Sequence, residues 1–291
     1  MLIEIKNDYL YIKIDSLGAE LKSIQSISDN HEYLWQGSDN SWKRSAPVLF
    51  PIIGGLNQDR YLYEGKSYEL TSHGFARDRE FKILRKNNNE VLFSIEETEQ
   101  SLKVFPFAFQ LIIGYKLERN RLTISYSLLN KNNKTMLFSI GAHPGFNCPL
   151  EKKLSYTDYK LVFEQNEHSE KRNKADNVLT GKREKFLIGE KEIHLNYKLF
   201  QNGALLFDDL KSNTISLESK KGKRKVLMNF KGFPYFGIWS WGETSADFIC
   251  LEPWYGIDST KDDDPEWEKK EGLVSIDAGQ TFEASYSLEI E

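Results

Sequence analysis

The sequence is poor in cysteine, in long apolar runs and in excess charge, and each shortage excludes a class of protein. It has two cysteines, Cys148 and Cys250, and no CxxC pair, so neither a thiolate metal site nor a disulfide scaffold is expected. Its net charge of −4 gives no electrostatic footprint for nucleic acid or an anionic membrane. The amino terminus is charged from Glu4 and has no long apolar run, which predicts a soluble cytoplasmic protein without a signal peptide or membrane span.

Amphipathic patterns of helix length are also missing, whereas aromatic and alternating apolar residues are plentiful. Aromatic residues make up 13% of the chain, and such residues favour strands over helices. Apolar residues recur with period two through residues 109–117, 122–128 and 282–290. No Gly/Ser or Pro linker and no fixed repeat divides the chain. The sequence therefore predicts an all-β fold, one large antiparallel β-sandwich, as a single domain over residues 1–291.

Three segments carry more local expectations. Residues 46–55 hold two prolines and two glycines around an apolar run, which predicts a buried, irregular segment beside a cleft. Residues 61–70 read as a hairpin with Gly65 in the turn. Residues 165–185 are polar and charged, so we expect a long solvated excursion from the sheet there.

Three polar side chains, His73, His143 and Glu252, follow apolar stretches and precede glycine or proline. A single histidine in that position is more often a structural residue, but the repetition favours a site. Loops from distant strands of a sandwich meet at one end or one face, so these residues can converge. Together they supply a general acid, a general base and a donor for a developing oxyanion. Asp208 and Asp209 end another strand in the same way, either as site acids or as edge residues facing water.

The same residue types can bind a metal, but their spacing does not favour it. Zinc and iron sites usually take two ligands close in sequence, and here no two histidines lie within ten residues of each other. Neither a phosphate-binding glycine loop nor a Gly-x-Ser-x-Gly elbow occurs. Aromatic residues flank the candidate polar groups, and aromatic faces stack on sugar rings. The pattern predicts a carbohydrate cleft without a metal.

Four motifs, in this order, resemble the aldose 1-epimerase (galactose mutarotase-like) family and its LacX-like bacterial subgroup. They are Phe50-Pro-Ile-Ile-Gly54, His73-Gly-Phe-Ala-Arg77, Gly141-Ala-His-Pro-Gly-Phe146 and Cys250-Leu-Glu-Pro-Trp254. The resemblance extends over nearly the whole chain. It implies a galactose mutarotase-like supersandwich with an open cleft. It also implies an isomerase that interconverts the α and β anomers of a hexose without a cofactor, with a small sugar as its partner and a monomeric or homodimeric state.

The resemblance also implies residue roles. Glu252 matches the general base of the family, His143 its general acid, and His73 the second histidine that binds the sugar. Asp209, with Asp208 as the fallback, matches the acid that holds ring hydroxyls. The remaining predicted substrate-binding residues are Arg77, from the second motif, and Trp254, one of the aromatic residues that flank the polar groups.

One departure from the family pattern opens an alternative substrate. Galactose mutarotases often carry an Asn-Arg pair just after the glycine of the first motif, where this chain has Gly54-Gly-Leu-Asn-Gln-Asp-Arg60. The His-Gly-Phe-Ala-Arg motif resembles instead that of the hexose-6-phosphate epimerase branch. The alternatives are therefore a hexose-6-phosphate 1-epimerase, with Arg77 or Arg44 on the phosphate, and a non-catalytic sugar-binding or sensing protein.

Glu252 and His143 are expected to titrate as a coupled pair. Their unperturbed pKa values, about 4.3 and about 6.5, leave a narrow window in which one is charged and the other protonated. We expect the neighbouring carboxylate to raise the pKa of His143 and so widen the window. The expected profile of kcat/KM is bell-shaped, with its alkaline limb set mainly by His143.

Overall fold

The computed structural model of the chain describes residues 1–242 and 247–291, and most of these residues lie in β-strands. The strands of the first half are β1 (Leu2–Lys6), β2 (Leu10–Asp15), β3 (Glu20–Ser26), β4 (Val48–Leu49), β5 (Arg60–Tyr63), β6 (Lys66–Glu69), β7 (Lys82–Lys86), β8 (Glu90–Glu96), β9 (Phe109–Glu118), β10 (Arg121–Asn130) and β11 (Met136–Phe138). Those of the second half are β12 (Ile140–Ala142), β13 (Gly145–Asn147), β14 (Lys160–Ala175), β15 (Val178–His194), β16 (Leu205–Phe207), β17 (Thr214–Glu218), β18 (Val226–Asn229), β19 (Tyr235–Trp239), β20 (Phe248–Tyr255), β21 (Val274–Ile276) and β22 (Thr281–Ile290).

Helical structure is limited to short turns in the part of the chain that the structure describes. One α-helical turn, α1 (Glu99–Leu102), begins at Thr98, whose hydroxyl accepts a hydrogen bond from the Ser101 amide at 3.1 Å. The 3₁₀ turns are Asn57–Asp59, Ala76–Asp78, Tyr156–Asp158, Tyr197–Phe200 and Trp267–Lys269. Among the described residues, none of these helices has the length and apolar character needed to cross a membrane.

Fifteen strands join into one antiparallel sheet, and this confirms the predicted all-β sandwich. The strand order is β4-β12-β20-β19-β16-β14-β17-β18-β22-β10-β9-β8-β7, with β13 also paired to β20 and β15 to β14. Smaller sheets, β1-β2-β3, β5-β6 and β11-β21, pack beside it. The β5–β6 pair is the predicted hairpin around Gly65.

The alternating apolar residues form the core, as their period predicts. Successive side chains of a strand point to opposite faces, so every second residue of β9, β10 and β22 enters the interior. Leu111, Ile113, Leu122, Ile124 and Leu288 are each at most 1% exposed. Burying one such side chain contributes about 1.5–3 kcal/mol, so this alternation is enough to fix the register of the central strands.

The expectation of a solvated excursion at 165–185 is wrong, because these residues form the long hairpin of β14 and β15. Its turn uses Asp176 and Asn177, both with positive φ (51° and 66°), which suits a two-residue hairpin turn. The polar side chains do not prevent a ladder, because they face water or pair with one another, as Lys171 and Glu184 do at 3.1 Å. The tip of this hairpin becomes one wall of the cavity described below.

Residues 46–55 are buried and irregular, as predicted. Only β4 pairs with the main sheet, through Gly141 opposite Leu49. Beyond it, the Phe50 carbonyl accepts hydrogen bonds from the amides of Phe75 and Ala76, at 3.0 and 3.1 Å. This contact fixes the loop that carries His73 against the loop that carries the two glycines.

Candidate active site

A cavity of about 410 Å³ lies beside β20 and the tip of the β14–β15 hairpin. Its volume is in the lower part of the range of small-molecule sites, roughly 300–1,000 Å³. Indole rings, imidazoles, charged groups and amides line it. The lining residues are Trp42, Pro47, His73, Arg77, His143, Lys174, Ala175, Asp176, Asn177, Asn202, Gly203, Ala204, Leu206, Trp239, Glu252 and Trp254.

The register of β20 brings His143 and Glu252 together. Strands β12 and β13 both pair with β20, with Gly141 opposite Trp254 and Gly145 opposite Cys250. The same register places His143, in the break between β12 and β13, opposite Glu252. The His143 Nε2 and Glu252 Oε2 atoms are 3.2 Å apart. The two residues are 9% and 1% exposed, so the pair lies at the closed end of the cavity.

Two indole rings hold the imidazole of His143. Trp42 stacks on it with 4.8 Å between ring centroids, and Trp239 meets it edge-on at 5.7 Å. Sequence reasoning missed both tryptophans, since Trp42 lies in an irregular loop and Trp239 at the end of β19. Packing on two sides leaves the imidazole little freedom to rotate away from Glu252.

His73 joins the pair from the loop after β6, and its ring centroid lies 5.7 Å from that of His143. Its Nδ1 accepts a hydrogen bond from the Gly54 amide at 3.1 Å. Burial lowers the pKa of His73 well below 6.5, and the nearby His143 and Arg77 act in the same direction. The neutral ring therefore carries its proton on Nε2, which makes that atom a hydrogen-bond donor.

Arg77 and Trp254 also line the cavity, whereas Arg44 does not. An Arg77 terminal nitrogen donates to the Ser72 carbonyl at 2.7 Å, while its buried Nε has no hydrogen-bond partner among the described residues. Arg44 pairs with Asp78 at 2.6 Å. The Trp254 Nε1 donates to the Ala142 carbonyl at 3.0 Å, so its ring rather than its N–H is available to a ligand.

The assignment of Asp209 to the sugar site requires correction. Neither Asp209 nor its fallback Asp208 belongs to the cavity lining. Asp209 accepts a hydrogen bond from the Ser169 hydroxyl, while Asp208 forms ion pairs with Arg172 at 2.8 Å and Arg183 at 2.6 Å. The two acids stabilise the contact between β16 and the long hairpin instead.

Lys174 is a charged lining residue that sequence reasoning missed. Its Nζ lies 2.5 Å from Asp258 Oδ1, which also accepts from the Gly55 amide at 3.0 Å. Asp258 is fully buried, and Gly54, with φ +63°, gives it room. A Cβ on Gly54 would lie 2.0 Å from the carboxylate oxygen. Gly54 and the following Gly55 thus help to place both His73 and Lys174.

Burial moves the pKa values of the central pair in opposite directions. It raises the pKa of Glu252 well above 4.5, although the Lys174 ammonium acts against this. It lowers the pKa of His143 to about 3, and the cations Arg77 and Lys174 add to the effect. The expected rise in the pKa of His143 is therefore wrong, because desolvation of the imidazolium is the dominant influence and the nearby cations add to it. Both shifts favour uncharged forms. At rest Glu252 is therefore the protonated carboxylic acid and His143 the neutral imidazole, so the pair holds one proton that can move between them.

The antiparallel supersandwich is a galactose mutarotase-like fold. Its open cavity holds a buried glutamate and two histidines. A model of the aldose 1-epimerase family matches residues 1–271. The chain therefore belongs to the aldose 1-epimerase family.

Three relatives match over the full length of the chain. The chromosomal LacX protein of Lactococcus lactis is 34% identical over 299 aligned residues, which cover 100% of this chain and 99% of LacX. A galactose mutarotase-related enzyme from Lactobacillus acidophilus superposes with a TM-score of 0.96 at 33% identity, covering 100% of this chain and 97% of its own. A galactose mutarotase-like protein from Lactobacillus casei gives 0.94 at 31% identity, with both chains covered completely. Together with the family match, these similarities support a mutarotase-like sugar epimerase.

Proposed function

We propose that the protein is a cofactor-independent aldose 1-epimerase that interconverts the α and β anomers of a hexose. The observation that carries the proposal is the pairing of His143 with Glu252 at 3.2 Å, at the closed end of a cavity of sugar size. A protein that only binds sugar has no need of a buried acid and base in contact. A hemiacetal needs both, because its ring opens when one proton leaves and another arrives.

The proposed reaction keeps the number of protons on the pair constant. Glu252 as carboxylate removes the proton of the C1 hydroxyl, and His143 as imidazolium gives a proton to the ring oxygen. The C1–O5 bond breaks, the aldehyde rotates about C1–C2, and the reverse transfers close the ring from its other face. Each acid/base group can supply roughly 10²–10⁴ in rate.

The buried environment favours the opening step. Before opening, the pair is charged, with its proton on His143. After opening, the proton is on Glu252 and both groups are neutral. Burial stabilises the neutral form, as the raised pKa of Glu252 and the lowered pKa of His143 indicate. In the empty site the charged form arises when the proton moves across the 3.2 Å between the two side chains.

The other lining groups bind the sugar in this proposal. The His73 Nε2–H and the cations Arg77 and Lys174 donate to hydroxyl oxygens, while the Trp254 ring packs against an apolar face of the sugar. Trp42 is occupied with His143 and acts through it. No group outside this chain is needed, since the reaction transfers no electrons and no chemical group other than protons.

A hexose-6-phosphate is the second candidate substrate, and the cations of the lining favour it. Arg77 and Lys174 both line the cavity with cationic N–H donors, although Arg77 Nε lies 3.7 Å from Asp78 Oδ2 and Lys174 pairs with Asp258. Such donors suit a phosphate. Arg44 is not expected to bind the phosphate, because it pairs with Asp78 and does not line the cavity.

Polarimetry on freshly dissolved α-anomers tests the proposal. Glucose, galactose and their 6-phosphates are compared with buffer alone, and calorimetry measures binding of each sugar. We expect mutarotation above the blank for at least one member of the panel. Binding without any acceleration would replace the enzyme with a sugar-binding protein. Arg77→Ala separates the substrates, because it should weaken binding of the phosphorylated sugar more than that of the free sugar.

A further inference from the structure

The two cysteines of the chain are free and fully buried, but their surroundings differ. Cys250 lies two residues before Glu252 on β20, so both side chains point to the same face of the strand. His143 lies opposite Glu252 in the register described above. Within residues 1–242 and 247–291, Cys148 belongs to no comparable group of three donors.

The donor atoms of Cys250, His143 and Glu252 all lie within 4.8 Å of one another. Zinc binds imidazole nitrogen at about 2.0–2.1 Å and thiolate sulfur at about 2.3 Å, so two ligands of one tetrahedral ion are roughly 3.3–3.7 Å apart. The His143–Glu252 pair, at 3.2 Å, is already close to that spacing. The thiol sulfur lies at most 4.8 Å from the other two donor atoms, so it needs to approach them by no more than roughly 1–1.5 Å for one ion to reach all three.

Gly145 lies opposite Cys250 in the pairing of β13 with β20. A Cβ at that position would lie 3.4 Å from the Cys250 sulfur and 2.8 Å from the Trp42 ring. The glycine therefore leaves the thiol without a neighbouring side chain on that strand and lets the indole pack close to it. The carboxylate and the imidazole both line the cavity, so a ligand that enters the cavity reaches them directly.

We propose that Cys250, His143 and Glu252 form an inhibitory binding site for a thiophilic divalent cation, Zn²⁺ or Cd²⁺. One sulfur, one nitrogen and one oxygen donor suit these ions and not Mg²⁺ or Ca²⁺, which prefer oxygen ligands alone. The fourth coordination position faces the cavity and takes a water molecule. On binding, the Cys250 thiol and the Glu252 carboxyl each release a proton to solvent, and no electron is transferred.

Inhibition follows from the ligands themselves. A carboxylate and an imidazole that hold a metal ion cannot exchange protons with a sugar, and the ion occupies space that the sugar needs. The inhibition part of the inference rests on the proposed epimerase activity. The binding part does not, because metal binding is measured on the protein alone.

The binding test uses Cd²⁺ on the metal-free protein, with the ultraviolet thiolate-to-cadmium charge-transfer band as the readout. Wild type, Cys148→Ser and Cys250→Ser form the matched set. We expect wild type and Cys148→Ser to bind one Cd²⁺ with the thiolate band. Cys250→Ser should lose the band and bind at least about tenfold more weakly. Equal affinity and an unchanged band in Cys250→Ser, a band lost only in Cys148→Ser, or no binding by wild type would overturn the proposal.

A second variant covers the possibility that Cys250→Ser does not fold, which its melting temperature reveals. His143→Asn keeps the thiol and removes the nitrogen ligand, so it should also weaken Cd²⁺ binding at least about tenfold. Unaltered Cd²⁺ affinity in His143→Asn would contradict the three-ligand site.

The activity test adds Zn²⁺ to the polarimetric assay, with Mg²⁺ as the control ion. Zn²⁺ should inhibit wild type and Cys148→Ser in competition with sugar, and Mg²⁺ should not. Cys250→Ser should keep its basal rate and tolerate at least about tenfold more Zn²⁺. Equal sensitivity of Cys250→Ser and wild type would refute inhibition through this site. If no sugar is turned over at all, the epimerase proposal fails while the cadmium measurement still decides the metal site.

Discussion

Glu252 and Asp208 are acidic residues of the same large sheet or its edge. The surroundings of Asp208 stabilise its negative charge, whereas those of Glu252 destabilise it. Asp208 follows β16 and receives two arginines, so its pKa is lowered even though burial acts to raise it. Glu252 lies in β20 with a histidine as its nearest partner, and burial raises its pKa well above 4.5. The first acid stays charged at neutral pH and stabilises the structure through its ion pairs. The second can gain and lose a proton, which acid/base chemistry requires.

The difference lies in what the neighbouring strands supply. Strand β14 presents Arg172 to Asp208, and β15 adds Arg183. Opposite Glu252, the chain between β12 and β13 supplies only His143, which indole rings hold in place. A guanidinium stays protonated at any relevant pH, whereas an imidazole does not. The partner residue, and not the burial of the acid alone, separates the structural acid from the proposed catalytic one.

The largest expected effect comes from Glu252→Gln. Glutamine keeps the shape and hydrogen-bonding capacity of the side chain but cannot accept the C1 hydroxyl proton. We expect kcat to fall by roughly 10²–10⁴ while sugar affinity is retained. Polarimetry measures the rate and calorimetry the affinity. Mutarotation near the wild-type rate would show that Glu252 is not the base.

The pH profile distinguishes the pair with one shared proton from two independent groups. The active form gains a second proton only when His143 is protonated, and burial lowers that pKa to about 3. The active form loses the proton that the pair shares when Glu252 ionises, and burial raises the pKa of Glu252 well above 4.5. The acid limb of kcat/KM should therefore lie far below pH 6.5, and the alkaline limb reports the pair, with Glu252 as the main contributor.

This profile is measured in EDTA, so that the pair titrates without a bound metal ion. Unperturbed groups would give a maximum between about pH 4.3 and about pH 6.5 and a fall in rate on either side. We expect instead a plateau that extends beyond both values. A narrow bell with its alkaline limb near pH 6.5 would contradict the environment described for His143.

Sequence reasoning singled out the proposed catalytic pair, His143 and Glu252, because local signals mark both residues. His73, His143 and Glu252 each precede glycine or proline, and the last two directly follow apolar stretches. The alternating apolar residues likewise identified β9, β10 and β22, since one buried face is enough to specify a strand.

The missed residues depend on contacts between distant parts of the chain. Lys174 reaches the cavity because a polar segment folds into a long hairpin, and its partner Asp258 is 84 residues away. Asp208 lies outside the predicted site, where it pairs with Arg172, a residue 36 positions earlier in the chain. No periodicity encodes which cation an acid meets. The long hairpin itself was missed because both its strands are polar, while its Asp176-Asn177 turn was a signal that could have indicated it.

A smaller effect is expected from Lys174→Met, which removes the ammonium and keeps most of the side-chain volume. If Lys174 donates to a sugar hydroxyl, a charge-assisted hydrogen bond of about 1.5–3 kcal/mol is lost, and KM rises about tenfold or more. The change in kcat should be smaller. Lys174→Arg should restore part of the affinity. A lower melting temperature with an unchanged KM would show that Lys174 serves only to neutralise Asp258.

The smallest effect on catalysis is expected from Asp208→Asn, the counterpart of Glu252→Gln. The change removes the charge that pairs with Arg172 and Arg183, but Arg172 keeps Glu271 at 2.8 and 2.9 Å. We expect kcat and KM to stay at their wild-type values and the free energy of unfolding to fall by about 1–3 kcal/mol.

The pH dependence of that loss has a definite sign, because the folded pKa of Asp208 is lowered. The stabilisation from its charge is fully present above its unfolded pKa, about 3.9, and disappears as the pH falls through the lower folded pKa. Denaturant unfolding of wild type and Asp208→Asn should therefore differ at neutral pH and converge in acid. A loss of turnover in Asp208→Asn without a loss of stability would place this acid at the sugar after all, and the contrast with Glu252 would then fail.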